Sequence, residues 1–123
     1  MNIQSTLDLD QRARSILTEN DHGTYTVPTK ELYPFQWNWD SALAALGICQ
    51  FDLERAWVEI ETLLKAQWDN GMVPHIIFWQ NDEGYFPGPK EWGTKHTPPT
   101  SGITQPPVAA TILRRLMQRS PTS

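Results

Sequence analysis

Apolar positions recur at helical spacing in four stretches of the chain, and each stretch carries start or stop signals of its own. Leu9, Ala13, Ile16 and Leu17 share one face of a first helix, with Ser5 as its cap, Asp8 three residues on, and Asp21-His22-Gly23 as its end. Leu43, Ala44, Leu46, Gly47 and Cys49 predict a second helix that begins near Asp40 or Ser41. It is apolar nearly all round, which is the pattern of a buried helix. Asp52 is a good N-cap for a third, in which Leu53, Ala56, Trp57, Ile60, Leu63, Leu64 and Gln67 form a stripe with Arg55, Glu59 and Glu61 opposite. Asp69-Asn70-Gly71 closes it, because Asn and Gly tolerate the left-handed backbone that ends many helices. A fourth is predicted from about Gln105, with Thr104 as cap, Pro106 in the first turn, and Val108, Ile112, Leu113 and Leu116 on its apolar face. It stops at Arg119, leaving residues 120–123 as a frayed tail. Val73 to Trp79 reads as extended, with no partner strand in view. The predicted class is all-α: one unit over residues 1–123, with four helices and long aromatic- and Pro-rich connections.

A different period runs through Tyr33-Pro34-Phe35-Gln36-Trp37-Asn38-Trp39-Asp40. If extended, Tyr33, Phe35, Trp37 and Trp39 point one way and Gln36, Asn38 and Asp40 the other. Flat rings pack on the C–H faces of a pyranose, and carboxylates and amides bind its hydroxyls, so this pattern predicts a sugar-binding wall.

Composition sharpens the picture in two places. Six tryptophans and ten prolines are many for 123 residues. The prolines concentrate after residue 73, and the Gly- and Pro-punctuated stretch from His75 to Pro107 also holds Trp79, Tyr85, Phe86 and Trp92. Disordered segments normally lack aromatics, so this long connection is expected to be ordered and functional. The net charge of −4, with scattered Lys and Arg, gives no basic stripe for nucleic acid. The N-terminus carries neither the charged nor the apolar region of a leader, and no apolar run is long enough for a membrane span. A cytoplasmic protein without membrane or nucleic-acid partners is expected. The single cysteine, Cys49, permits no intrachain disulfide and reads as a small apolar helix residue.

Simpler readings compete for several residues. Asp40 has the position of a helix N-cap, a role that does not exclude contact with a ligand. Trp57 and Trp68 lie on or near the third helix and read as core. Trp79 and Trp92 can equally staple the long loop. His22, His75 and His96 match no usual metal-ligand spacing, so neither a metal nor another cofactor is expected. Asp8 with Asp10, and Glu59 with Glu61, diverge at i and i+2 on a helix and read as solvated surface charges rather than a catalytic pair.

Four blocks in order carry a resemblance: Phe35-Gln36-Trp37-Asn38-Trp39-Asp40-Ser41, Asp52-Leu53-Glu54-Arg55-Ala56, Gln67-Trp68-Asp69-Asn70-Gly71-Met72-Val73-Pro74-His75 and Thr100-Ser101-Gly102-Ile103-Thr104-Gln105-Pro106-Pro107. Together they resemble bacterial glycoside hydrolases of family 63, above all the mannosylglycerate and glucosylglycerate hydrolases. The resemblance implies an (α/α)6 toroid of which this chain is an incomplete N-terminal part. It also implies a small carbohydrate ligand, an α-glucoside or α-mannoside. On the same ground Tyr33, Trp37, Trp39 and Asp40 would line the sugar site. Gln105 would recognise the non-sugar part, His75 would stand at the pocket mouth, and Tyr85 would sit on a loop that closes over substrate.

The family chemistry so implied is inverting hydrolysis by two carboxylic residues roughly 6.5 to 9.5 Å apart. No carboxylate of this chain matches either, so no catalytic residue is assigned within it. Twelve helices of ordinary length need roughly 200 residues, and a truncated gene is the simplest account of a shorter chain. Two rivals stay open: a non-catalytic carbohydrate-binding module, and an inactive structural fragment whose apolar helix faces need the remainder of the toroid.

Overall fold

The computed structural model describes residues 3–120. The chain order is α1 (Ile3–Glu19), β1 (Gln36–Trp37), α2 (Asn38–Ile48), α3 (Leu53–Leu64), β2 (Ile76–Ile77), α4 (Pro89–Trp92) and α5 (Ala109–Arg119). The expected tail at 121–123 lies outside the described residues, and Ser120 is the C-cap of α5.

Helices α2, α3 and α5 form the main layer. Ala42, Ala45, Ile48 and Cys49 of α2 and its C-cap meet Ala56 and Ile60 of α3 and Ile112 and Leu116 of α5, all buried. Alanines at 42, 45 and 56 let these axes approach closely, which is why a helix rich in small residues sits at the centre of the packing. The α3 prediction holds best. The Asp52 side chain accepts from Arg55 N at 3.0 Å, and Ala56, Ile60 and Leu63 face inward. Helix α1 lies against α2, where Leu17 packs over Gly47. A Cβ at Gly47 would stand 3.1 Å from Leu17 Cδ1, so the crossing depends on the missing side chain.

The structure corrects the all-α expectation. Gln36 pairs with Ile77 and Trp37 with Ile76 in a two-stranded antiparallel sheet, so the 73–79 segment does have a partner. Its other edge is held by residues 99–101, through Phe78 N to Pro99 O at 3.0 Å and Ser101 N to Ile76 O at 3.1 Å. Ladders this short leave too little alternation to be read from sequence. A second core gathers on this sheet from Phe35, Trp37, Ile76 and Phe78, with Tyr85 and Trp92 packed against it.

Among the described residues five helices stand where four were expected, the extra one being the single turn α4. Three onsets also move. Helix α1 includes Ser5 rather than starting from it. Helix α5 begins at Ala109 with no side-chain cap, not near Gln105, because the Thr104 hydroxyl donates to Val73 O at 2.7 Å and residues 105–107 lead into α5 without helix, with Val108 N donating to Pro106 O at 2.8 Å. Helix α2 begins at Asn38 after Trp37, which places Asp40 inside the first turn rather than at the N-cap.

Glu59 overturns the surface-charge reading: it is fully buried. Its carboxylate accepts from Thr26 N at 2.8 Å, Thr26 Oγ1 at 2.8 Å and the Ser41 hydroxyl, and pairs with Arg55 at 3.0 Å. Arg55 in turn bridges to Asp21 at 2.8 Å. A lone carboxylate buried this deeply would be prohibitive, and here hydrogen bonds and a cation offset the lost hydration. Trp57 is partly buried against the main core as expected. Trp68 is not: its ring stacks on His96 at 3.9 Å and its indole N–H donates to Thr100 Oγ1 at 3.1 Å, so it ties loop to loop.

Candidate functional site

The sequence-predicted residues meet around the first turn of α2. With no side-chain cap of its own, that turn is closed by distant chain. Asn38 N donates to His75 O at 3.0 Å, and Trp39 N donates to Gln105 Oε1 at 2.9 Å. Two orphan donors of a helix start are thereby satisfied by segments more than thirty residues away. The aromatic block, the 75 segment and the 105 segment are thus locked in one frame.

Four rings form the wall. Tyr33 meets Trp37 edge-on at 5.4 Å, Phe35 tilts against Trp37 at 6.0 Å, and Tyr85 stands edge-on to Phe35 at 5.3 Å and to Trp37 at 5.5 Å. The edge-on contacts oppose ring edges to ring faces, the favoured quadrupole arrangement. Sequence alternation puts Trp39 in the same row, but the structure turns the chain into α2 at Asn38, and Trp39 stands on the helix, 41% exposed. Tyr33 is similarly open at 45%, whereas Phe35 and Trp37 are buried at 1% and 7%. The exposed rings are therefore Tyr33 and Trp39, and Trp37 packs against the first of them.

The predicted polar row also divides. Gln36 is fully buried: its amide donates to Ser41 Oγ at 2.8 Å and accepts the Trp79 indole N–H at 2.7 Å. Asn38 spends its amide N–H on Val73 O at 3.1 Å. Of the three polar residues only Asp40 is left half-open. Burial pushes its pKa up, against the lowering by its own backbone N–H and by the Trp39 side chain.

Gln105 is placed as an acceptor to α2, which leaves its amide N–H groups free of that bond. His75 is half-buried; its Nδ1 lies 2.6 Å from Ser101 Oγ and its ring meets Trp92 edge-on at 5.4 Å. Burial lowers its pKa, partly offset by the backbone hydrogen bond at Ile103. Burial raises the pKa of Tyr85, so its phenol stays a neutral donor. Sequence reasoning misses Ser101 and Trp92. A serine in a Thr-Ser-Gly loop carries no signal of its own, and Trp92 reads as a loop staple because its neighbour His75 is distant in sequence.

Asp52 and Glu91 cap helix starts, Glu59 and Asp21 are bound to Arg55, and Asp8 and Asp10 are exposed on α1. Among the described residues no group of three or more His, Cys, Asp or Glu is gathered as a metal ion would need. No helix there is long and apolar enough to cross a membrane. An apolar cavity of about 390 Å³ between α3 and α5 touches Asn38 but none of the seven predicted site residues, and with so few polar groups it does not fit a sugar.

Residues 33–123 match the family described as the mannosylglycerate hydrolase MGH1-like glycoside hydrolase domain. Mannosylglycerate hydrolase MGH1 of Selaginella moellendorffii is 55% identical over 111 residues, covering 89% of this chain and 23% of that protein. Glucosylglycerate hydrolase of Mycolicibacterium hassiacum is 47% identical over 121 residues, covering 93% and 27%. A crystal structure of the family 63 mannosylglycerate hydrolase from Thermus thermophilus with Tris and D-glycerate superimposes with a TM-score of 0.87 at 50% identity, over 93% of this chain and 27% of that one. A further structure of that enzyme contains glucose and matches with a TM-score of 0.76 at 48% identity, over 92% of this chain and 27% of that one. The chain spans about a quarter of the length of the curated relatives it matches.

Proposed function

Because the chain belongs to the MGH1-like glycoside hydrolase family, we propose that it supplies part of the sugar-binding pocket of an inverting α-glycosidase acting on a glucosyl- or mannosyl-glycerate or a related α-glycoside. Tyr33 and Trp39 stack on the sugar, Trp37 backs them, and Asp40 accepts from a hydroxyl. Gln105, His75 and Tyr85 present polar groups from the loops around the same turn. Single-domain packing over the whole chain, as the N-terminal portion of an (α/α)6 toroid, is part of this reading.

The observation that carries it is the closure of the first turn of α2 by His75 and Gln105, which brings residues from the three separate blocks against one aromatic wall. The relatives named for mannosylglycerate and glucosylglycerate, and the solved structures containing D-glycerate and glucose, support the ligand class. The acid and base, placed roughly 6.5 to 9.5 Å apart across the bond by such chemistry, belong to chain beyond these 123 residues. The bound or outward-facing state of the carboxylates above supports that placement.

The experiment is incubation of the purified 123-residue chain with mannosylglycerate and glucosylglycerate while free mannose and glucose are followed. No release above background is expected, and turnover would overturn the assignment of the catalytic carboxylates elsewhere. A second reading, a binding module without catalysis, draws on the aromatic core of Phe35, Trp37, Ile76 and Phe78, which closes within this chain.

A further inference from the structure

We propose that Ser101 is a positioning residue for His75, holding the imidazole in the tautomer with its proton on Nε2, so that the ring offers a hydrogen-bond donor to the sugar site. The inference rests on the sugar-wall reading only for what His75 faces; the tautomer follows from which of the two contacts open to one hydroxyl proton is the shorter.

Ser101 is fully buried, and the run that carries it is fixed to β2 by backbone bonds on both sides, so its hydroxyl has few directions to choose from. A serine hydroxyl has one proton and two acceptor positions. One acceptor position is taken by Ile76 N–H at 3.1 Å. The proton has two acceptors in reach, His75 Nδ1 at 2.6 Å and Ile103 O at 3.3 Å. The first is a short, strong contact and the second lies at the long limit. Ile103 O already receives His75 N–H at 2.8 Å and does not depend on Ser101.

Donation from Ser101 to Nδ1 requires that nitrogen to be bare. Burial favours the neutral ring, and a neutral imidazole with a bare Nδ1 carries its hydrogen on Nε2. Trp92, edge-on at 5.4 Å, restrains the ring plane. The result is a donor on His75 whose direction is fixed by the fully buried Ser101 side chain.

The test is a two-bond 15N–1H spectrum of the imidazole rings in the 15N-histidine-labelled 123-residue chain, with His75 assigned by its loss in His75→Gln. Wild type is expected to show an unprotonated Nδ1 and a protonated Nε2 in a single form. Ser101→Ala should relax this to a mixture of tautomers, and Ser101→Thr, which keeps the hydroxyl, should restore the single form. A protonated Nδ1 in wild type overturns the proposal without any variant having to fold. An unchanged tautomer in a folded Ser101→Ala overturns the role of Ser101. Titration with glucose separates this from the broader reading: His75 Nε2 is expected to shift, with affinity falling roughly three- to tenfold in Ser101→Ala. Shifts at Trp39 with His75 silent overturn the sugar-facing role of His75 alone. Silence at both overturns the sugar wall.

Discussion

The backbone N–H of Trp39 donates to the side-chain carbonyl of Gln105 at 2.9 Å, across 66 residues of chain. A residue outside the helix thereby serves as the cap that Trp37 cannot provide. Gln105→Ala should lower stability by about 1 kcal/mol, the usual worth of a cap. Gln105→Glu keeps the acceptor and places a negative charge at a helix N-terminus, so it should hold stability while losing the amide N–H groups proposed to meet the ligand. Thermal melts paired with sugar titrations check this, and equal losses of stability in both variants would contradict it.

With the proposed role in the sugar site, Asp40 should couple binding to pH. Burial raises its folded pKa above the unfolded value, so its contribution to stability is full below the unfolded pKa and is lost as pH rises through the folded one. At neutral pH the buried charge is a cost. Asp40→Asn should therefore be as stable as wild type or more so at pH 7, yet bind sugar about tenfold more weakly, because a charged acceptor becomes a neutral one. Wild-type affinity should fall on acidification through the raised pKa, and that fall should vanish in Asp40→Asn. Isothermal titration at several pH values measures both.

Asp21, paired with Arg55, should contribute to acid sensitivity. Desolvation raises the pKa of Asp21, but Arg55 and the Gly23 backbone outweigh it and leave the folded value lowered. Stability from this group is thus present above the unfolded pKa, about 3.9, and is lost as pH falls through the folded value. Melting temperature followed from about pH 5 downward should drop less steeply in Asp21→Asn. Glu59→Ala, which leaves Arg55 and three hydrogen-bond donors facing an empty site, should cost about 3–5 kcal/mol and unfold the chain or nearly so.

Trp37 and Trp39 should separate packing from recognition. Trp37 is 7% exposed within the second core, so Trp37→Ala should cost about 3–5 kcal/mol. Trp39 is 41% exposed, and Trp39→Ala should weaken sugar binding with much less effect on denaturant midpoint. The reverse pattern would show that the exposed ring is not the stacking surface.

These residues also mark what the sequence can reveal. Helix α3 is legible because its cap, Asp52, and its stripe are local, and the aromatic block is legible as a cluster of packed rings because they are concentrated in eight residues. The start of α2 is hidden because its cap comes from Gln105 and His75. Glu59 looks like surface charge because Thr26 and Ser41, which offset the cost of burying it, are remote. The onset of α5 falls at Ala109, four residues beyond the position that spacing suggests, because Thr104 has a better acceptor in Val73 than in the helix. In each case a local pattern is overruled by a tertiary partner that spacing alone does not encode.

The most direct measurement is mannose release from mannosylglycerate by a chimera in which this chain replaces the matching quarter of the Thermus thermophilus mannosylglycerate hydrolase. The account predicts hydrolysis by the chimera, about tenfold or greater loss in its Asp40→Asn and Trp39→Ala forms, and none by the 123-residue chain alone. A folded chimera that is inactive, or one whose activity is indifferent to Asp40 and Trp39, would contradict it.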